Sequence, residues 1–167
     1  AHTGSGKSFA VLLALLAKPR LLFRTGGSAP VAGTSALVLV PSNELALQYM
    51  GWVRAMLPSA LQASVDVVAQ CVVRGEDTVA GNSARLRAQS PHILIGTPTR
   101  VQELLAAPAG ADLLGIATLR TLVLDEADAL LQLPGRFPSE RQRWKHLAHR
   151  SAGLDVLNSI MTTRATF

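Results

Sequence analysis

Three short, continuously apolar runs constrain the fold of this chain more than any other feature. They read ALVLV (36–40), HILIG (92–96) and TLVL (121–124). The first two runs are typical of strands buried on both faces of a parallel sheet, and the third is predicted as a strand that runs straight into acidic residues. Helical patterns separate the runs, and repeated strand–helix units build a parallel sheet with helices on both faces. The chain is therefore predicted to adopt an α/β fold, in which ligands bind at the carboxyl ends of the strands.

The remaining elements follow from the same kinds of pattern. Helices are predicted over 7–18, 43–56, 76–89, 100–107 and 139–150. Further strands are predicted over 66–73 and 156–163, and a loop rich in glycine and proline is predicted over 24–33.

Composition limits the classes of function. A chain of 167 residues, of which 49% are hydrophobic, can bury one substantial core. The apolar stretch 10–17 is shorter than the roughly 18 residues of a membrane-spanning helix, so no membrane role is predicted. The single cysteine, Cys71, excludes an internal disulfide and indicates an intracellular protein. A net charge of +5 and a pI near 10.3 favour a polyanionic partner such as nucleic acid.

The first eight residues, AHTGSGKS, have the pattern of a loop that holds nucleotide phosphates. Glycines let backbone N–H groups point inward at phosphate oxygens, and a helix beginning near Lys7 adds the positive end of its dipole. Lys7 would reach the β- and γ-phosphates, and Ser8 would ligate Mg²⁺. The general pattern has glycine where this chain has Ala1. A plain glycine-rich turn before a helix is the alternative.

The word DEAD (125–128) directly follows the apolar run 121–124. At the end of a strand, Asp125 would hold Mg²⁺ through water, and Glu126 would polarise the attacking water. The alternative is an acidic helix cap, for which Asp128 alone would suffice. A phosphate loop together with this acidic word predicts a nucleotide hydrolase.

Two further words follow strands, PSNELALQ (41–48) and TPTR (97–100). Each places a proline and small hydroxyl residues where a helix begins, and such helix N-termini bind phosphate through backbone N–H groups. Arg100 would add a charge-assisted contact. Ordinary helix caps are the alternative for each word taken alone.

In this order, the four words resemble motifs of the DEAD-box family of ATP-dependent RNA helicases. AHTGSGKS resembles motif I, in which Ala1 is a common first residue, and DEAD is motif II. PSNELALQ and TPTR resemble motifs Ia and Ib, and RATF (164–167) stands where motif III is expected. The resemblance implies a RecA-like P-loop fold and the cofactors ATP and Mg²⁺. It assigns catalysis to Lys7, Asp125 and Glu126, ATP binding to Thr3, Gly4, Ser5, Gly6, Lys7 and Ser8, and Mg²⁺ to Ser8 and Asp125.

The resemblance also implies a track for single-stranded RNA and a link between hydrolysis and strand separation. Asp128, Ala165 and Thr166 would provide the link. The RNA track would be lined by Pro41, Ser42, Gly75, Thr97, Pro98 and Arg100. Contacts of this kind go to the sugar–phosphate backbone, so we expect little base specificity and local unwinding without long-range translocation.

The sequence departs from the family pattern at four positions. Asn43 replaces an arginine of motif Ia, and Thr99 replaces a glycine of motif Ib. Gly75 lacks its usual glycine neighbour, and Arg164 replaces the serine of motif III. We hypothesise a divergent member of the family with an altered RNA grip or altered coupling.

Family members carry more than this stretch: a strand and an adenine-reading glutamine motif before motif I, and a second RecA-like domain after motif III. Residues 1–167 are therefore interpreted as part of an N-terminal RecA-like domain. Alone they are expected to hydrolyse ATP barely above background, because the arginine fingers of the second domain contribute roughly 10³ to 10⁵ in turnover.

Partners and alternatives follow from the same interpretation. Expected partners are RNA, ribonucleoprotein components and the second RecA-like domain of the same protein. The high pI and divergent motifs are compatible with a mitochondrial helicase, and the nucleus, nucleolus and cytoplasm are the alternative locations. Two other functions stay open: a scaffold that clamps RNA with little turnover, and a different P-loop nucleic-acid motor.

Overall fold

The computed structural model describes residues 6–18, 22–23, 31–132, 139–140 and 151–165, in which helices and strands alternate. The helices are α1 Lys7–Leu16, α2 Asn43–Met56, α3 Val65–Val68, α4 Val79–Ala88, α5 Pro98–Leu105, α6 Gly110–Leu113, α7 Ala127–Leu131 and α8 Ala152–Arg164, with a 3₁₀ helix at Ser59–Ser64. The strands are β1 Leu22–Phe23, β2 Val31–Ala32, β3 Ala36–Leu39, β4 Ala69–Val72, β5 Ile93–Gly96 and β6 Thr121–Leu124. None of the helices in the described ranges is long and apolar enough to cross a membrane.

Four of the strands form one parallel sheet in the order β4–β5–β3–β6. Leu39 of β3 pairs with Gly96 of β5 and with Leu124 of β6, and Val72 of β4 also pairs with Gly96. The carboxyl ends of all four strands therefore lie on one line. Every loop that leaves this edge begins at the same height in the sheet.

The sheet is covered by helices on both faces, as predicted. On β3, Leu37 and Leu39 face one core cluster, whereas Ala36 and Val38 face the other, and all four are at most 2% exposed. The first cluster is completed by residues of α4 to α8, and the second by residues of α1 and α2. A strand with helices on both sides needs apolar residues at every position, which explains the continuous apolar runs.

The predicted loop over 24–33 differs in part from the structure. Val31 and Ala32 form strand β2, which pairs antiparallel with β1, Leu22 opposite Ala32 and Phe23 opposite Val31. Residues 24–30 lie outside the described part, as does most of the predicted helix over 139–150.

The predicted strand over 156–163 is wrong, because these residues lie inside helix α8. Its buried residues are Gly153, Val156 and Ile160, a spacing of three and four that matches a helix and not a strand. Ser151 caps the helix by accepting a hydrogen bond from the backbone N–H of Leu154 at 3.2 Å. The helical spacing of the buried residues and the Ser151 cap therefore favour a helix, although the apolar residues of the segment had predicted a strand.

Candidate active site

Helix α1 begins at a glycine that adopts a left-handed conformation. Gly6 has φ +72° and is the N-cap residue, so Lys7 and Ser8 form the first turn. Backbone N–H groups in the first turn of a helix have no partner within the helix, and they point at the place where an anion would bind. Lys7 is exposed and Ser8 is half-buried. The predicted ATP-binding residues Thr3, Gly4 and Ser5 lie outside the described residues.

Strand β6 delivers Asp125 and Glu126 to the edge where all four strands end. The backbone N–H of Asp125 donates to Leu39 O at 3.0 Å, so the pairing with β3 continues one residue past the strand. Asp125 Oδ1 accepts the backbone N–H of Glu126 at 3.1 Å. Glu126 has φ +52° and turns the chain into α7, with its side chain exposed. A left-handed residue with a side chain costs roughly 1–2 kcal/mol, so packing of α7 must hold this turn in place.

One tyrosine hydroxyl lies between the first turn of α1 and the acidic motif DEAD (125–128). Tyr49 is a fully buried residue of α2, and its hydroxyl donates a hydrogen bond of 2.9 Å to Asp125 Oδ2. Ser8, in the first turn of α1, lies close enough to the same hydroxyl to act on its pKa. Burial, and then the hydrogen bond and charge of Asp125, raise the pKa of Tyr49 well above its usual value, while Ser8 opposes this. Tyr49 therefore keeps its proton at neutral pH. Its hydroxyl lies beside both Ser8 and Asp125.

Aromatic packing sets the position of α1 against α2. The Phe9 ring meets the Trp52 ring edge-on with centroids 5.6 Å apart, and Trp52 meets Tyr49 in the same manner at 5.4 Å. Leu12 and Leu15 of α1 are buried in the core beneath this aromatic row. These contacts hold Ser8 within reach of the Tyr49 hydroxyl.

The side chains at this point suit a magnesium ion that is shared with a phosphate. Ser8 and Asp125 supply a hydroxyl and a carboxylate, which are the hard oxygen ligands that Mg²⁺ prefers. Within the described ranges, no group of three or more His, Cys, Asp or Glu residues could hold a metal by itself. Mg²⁺ is normally held by one or two carboxylates together with substrate phosphates and water, so the residues present fit it.

A second cluster lies on the same edge, at the ends of β3 and β4. Ser42 accepts the backbone N–H of Leu45 at 3.2 Å and so caps α2. Asn43 donates from Nδ2 to the carbonyl of Arg74 at 2.8 Å. The next residue, Gly75, has φ +89°. Asn43 thus ties the start of α2 to the glycine turn after β4, two segments that lie far apart in the sequence.

Arg100 extends this cluster to the end of β5. It is 6% exposed, and its Nη2 donates to the carbonyl of Asp77 at 2.8 Å. Its Nη1 lies 3.3 Å from Glu103 Oε2, and Glu103 also accepts a hydrogen bond of 2.9 Å from Arg74 Nε. The hydrogen bond from Arg74, and to a smaller degree the charge of Arg100, lower the pKa of Glu103. Thr97 and Pro98 precede this group at the start of α5, and both are buried.

Of the predicted coupling residues, the two that the structure describes, Asp128 and Ala165, are not brought together. Asp128 lies exposed in the first turn of α7, two residues after the left-handed turn at Glu126. Ala165 follows α8, a helix of 13 residues. The start of α8 packs on Leu130, and its last residue, Arg164, donates a hydrogen bond to Leu119 O at 2.6 Å. Leu119 precedes β6, so Ala165 lies at the opposite sheet edge, roughly 20 Å of helix away from the start of α8. Thr166 lies outside the described residues.

Three residues of the site were missed by the sequence analysis. Tyr49 belongs to none of the motifs, and its place in the predicted helix 43–56 does not reveal where its hydroxyl points. Arg74 had no motif of its own. Glu103 carried a usable signal, because it stands three residues after Arg100 on a predicted helix.

The sequence profile of the DEAD/DEAH box helicase family matches residues 1–167. The chain belongs to this family. Among its members, the ATP-dependent rRNA helicase spb4 of Schizosaccharomyces pombe is 32% identical over 136 residues, which cover 80% of this chain and 21% of that protein. The ATP-dependent RNA helicase DBP8 of Candida albicans is 37% identical over 143 residues, covering 86% and 29%.

A human DEAD-box relative and a solved structure extend the likeness. The probable ATP-dependent RNA helicase DDX47 of Homo sapiens is 36% identical over 137 residues, covering 80% of this chain and 25% of that protein. The crystal structure of the yeast DEAD-box splicing factor Prp28 superposes with a TM-score of 0.57 at 27% identity, covering 89% of this chain and 31% of that one. These matches confirm the predicted family and the predicted α/β fold. The chain spans roughly a fifth to three tenths of the length of these curated relatives.

Proposed function

We propose that this chain forms the ATP-binding and RNA-binding domain of an ATP-dependent RNA helicase that unwinds or remodels RNA locally. The observation that carries the proposal is the contact chain from Ser8 through Tyr49 to Asp125, because it joins motifs I and II of a DEAD-box protein at one point. The basic charge of the chain supports an RNA substrate.

The nucleotide is bound by residues at the start of α1 and the end of β6. The loop residues Thr3 to Ser8 and the first-turn N–H groups of α1 cradle the phosphates, and Lys7 adds a positive charge. Ser8 and Asp125 would hold Mg²⁺, which when bound supplies positive charge against the phosphate oxygens. Glu126 is exposed beside Asp125, where it accepts hydrogen bonds from the attacking water and orients it.

The RNA strand follows the same sheet edge toward β4. The carboxyl ends of β6 and β4 are three strand spacings apart, roughly 14 Å at about 4.8 Å per strand, and the turn at Gly75 follows β4. Between them lie Pro41 and Ser42 after β3 and Thr97, Pro98 and Arg100 after β5. Helix N-termini and one buried arginine suit phosphate contacts and carry no base specificity. This supports a sequence-independent grip on single-stranded RNA.

The coupling role of Ala165 and Thr166 stays a prediction: Thr166 lies outside the described residues, and Ala165 follows α8, whose last residue contacts Leu119 ahead of β6. Asp128 remains a candidate for transmitting the state of the nucleotide, through contact with the second RecA-like domain. We place that domain, RNA and ribonucleoprotein components among the partners. The relatives named above give no support to a mitochondrial location, and we propose only an intracellular one.

RNA-stimulated ATP hydrolysis by the full-length protein tests this function. Lys7→Ala should abolish nucleotide binding, whereas Glu126→Gln should keep it and lower turnover by about 10²-fold or more. Lys18→Ala is the matched control, because Lys18 Nζ contacts Thr121 at the other sheet edge. Turnover that survives in both site variants would contradict the proposal.

An RNA clamp with little turnover is the second candidate, and the Asn43 contact favours it. The family pattern has an arginine at position 43, whereas Asn43 is uncharged and donates its amide N–H to the Arg74 carbonyl. A clamp would keep its cellular activity in Glu126→Gln, and a helicase would lose it. The third alternative, a different P-loop motor, is set aside because the chain matches the DEAD/DEAH box family.

A further inference from the structure

The Tyr49 hydroxyl lies beside the two side chains proposed to hold Mg²⁺, and the core fixes its position. Tyr49 lies in α2, between Ala46, Met50 and Val53, and all four residues are at most 3% exposed. Its ring is held edge-on by Trp52. Helix α2 is therefore a third element that contacts both Ser8 of α1 and Asp125 after β6. Neither of those side chains is buried, so the rigid partner in this contact chain is Tyr49.

The direction of each hydrogen bond decides what stays available for a ligand. Tyr49 has one proton, which it donates to Asp125 Oδ2, so towards the neighbouring Ser8 hydroxyl its oxygen can only accept. A Ser8 proton directed at Tyr49 would leave the lone pairs of the Ser8 oxygen for another ligand. Asp125 keeps acceptor capacity on both carboxylate oxygens, because each has taken one donor. The Tyr49 hydroxyl therefore orients the oxygens of Ser8 and Asp125, and both side chains keep lone pairs with which to bind a metal ion.

We propose that the Tyr49 hydroxyl is a positioning group that pre-sets Ser8 and Asp125 for Mg²⁺, and that it lowers the Mg²⁺ concentration at which nucleotide binds. The inference rests on the proposed function, since it concerns the same nucleotide site. Groups that orient the ligands of a metal typically change its affinity by ten- to a hundred-fold when they are removed. The competing account is structural: a buried phenol needs a hydrogen-bond partner, and Asp125 serves only as that partner.

Nucleotide binding measured against free Mg²⁺ separates the two accounts. A fluorescent ADP analogue is titrated into the full-length protein at a series of Mg²⁺ concentrations and in excess EDTA. In Tyr49→Phe, the Mg²⁺ concentration for half-maximal binding should rise about ten-fold, while affinity in EDTA stays within about two-fold. Trp52→Phe is the control, because it perturbs the same aromatic row and leaves the hydroxyl in place. An unchanged or lowered Mg²⁺ midpoint in Tyr49→Phe overturns the inference.

Stability of the ligand-free protein provides a second measurement that does not depend on nucleotide. Thermal melts of wild type, Tyr49→Phe, Asp125→Asn and the double variant form a cycle, and the inference requires the two changes to be non-additive. In the Asp125→Asn background, Tyr49→Phe should also shift the Mg²⁺ midpoint less than it does in the wild type, because only Ser8 is then left to position. Additive melts, or a full shift in that background, overturn the inference. Wild-type protein that binds no nucleotide overturns the proposed function as well.

Discussion

Glu103 Oε2 lies 3.3 Å from Nη1 of the buried Arg100, and the same carboxylate binds the exposed Arg74. One acidic side chain thus neutralises two cations at the edge where RNA is proposed to bind. Because Arg74 and Glu103 are partly exposed, this group contributes little to folding stability, about 1 kcal/mol or less. Its larger effect is on the electric field along the track.

Glu103→Gln should therefore strengthen RNA binding and make it more sensitive to salt. Releasing the two arginines adds about one phosphate contact, which steepens the slope of log affinity against log salt by roughly 0.7 for a single strand. Fluorescence anisotropy with labelled single-stranded RNA at several salt concentrations measures this. Asp112→Asn removes an exposed carboxylate from α6 and is the charge-matched control. Equal slopes in the two variants would show that Glu103 does not restrain the RNA contacts.

Asn43→Ala should loosen the connection between the start of α2 and the turn at Gly75. Loss of the 2.8 Å bond to the Arg74 carbonyl lowers the free energy of unfolding by about 0.5–1.5 kcal/mol. RNA affinity should fall several-fold, because two segments of the track lose their mutual position. Denaturant melts and RNA titrations check both effects, with the exposed Asn158→Ala in α8 as control. Normal RNA affinity in a destabilised Asn43→Ala would separate this contact from the RNA site.

Two glycine substitutions should have opposite effects. Gly6→Ala forces a side chain into φ +72°, which costs roughly 1–2 kcal/mol and distorts the start of α1, so nucleotide binding should weaken. Gly51→Ala lies inside α2, where an added methyl group meets no described atom within 4 Å, and should stabilise by up to about 1 kcal/mol. Thermal melts of both variants test the contrast. A stabilised Gly6→Ala would show that the helix start does not need the left-handed conformation.

The thiol of Cys71 should react slowly. Burial raises its pKa to about 11, with Arg85 and Arg54 opposing and Glu76 adding to the shift, against an ordinary value of 9.0. Iodoacetamide should therefore label the folded protein roughly a hundred-fold more slowly at pH 8 than the urea-unfolded chain. With only one cysteine, the labelled site is unambiguous.

The same shift gives a pH dependence of stability. Because the folded pKa of Cys71 lies above the unfolded one, its contribution is complete below pH 9 and is lost as the pH rises through about 11. Denaturant melts of wild type and Cys71→Ser at pH 8 and pH 11 measure it. Parallel curves for the two proteins would contradict the shifted pKa.

Much of the fold was readable because its two central strands, β3 and β5, are buried on both faces. The runs 36–40 and 92–96 became β3 and β5 to within one residue, and helix α2 was predicted at its observed bounds. The run 66–73 was less informative, since its first half forms α3 and only Ala69–Val72 joins the sheet. The segment 156–163 failed because mixed apolar and polar residues are compatible with either period, and only packing of Val156 and Ile160 against the core selects the helix.

The sequence by itself determined the parallel α/β fold, the family and the words that carry the nucleotide chemistry. These depend on local patterns: apolar runs, a glycine loop and an acidic turn after a strand. Only the tertiary structure decided which side chains meet. The Tyr49 hydroxyl reaches Asp125 across 76 positions, and Asn43 reaches Arg74 across 31. Such contacts depend on strand order, register and helix packing, which no short stretch of residues encodes.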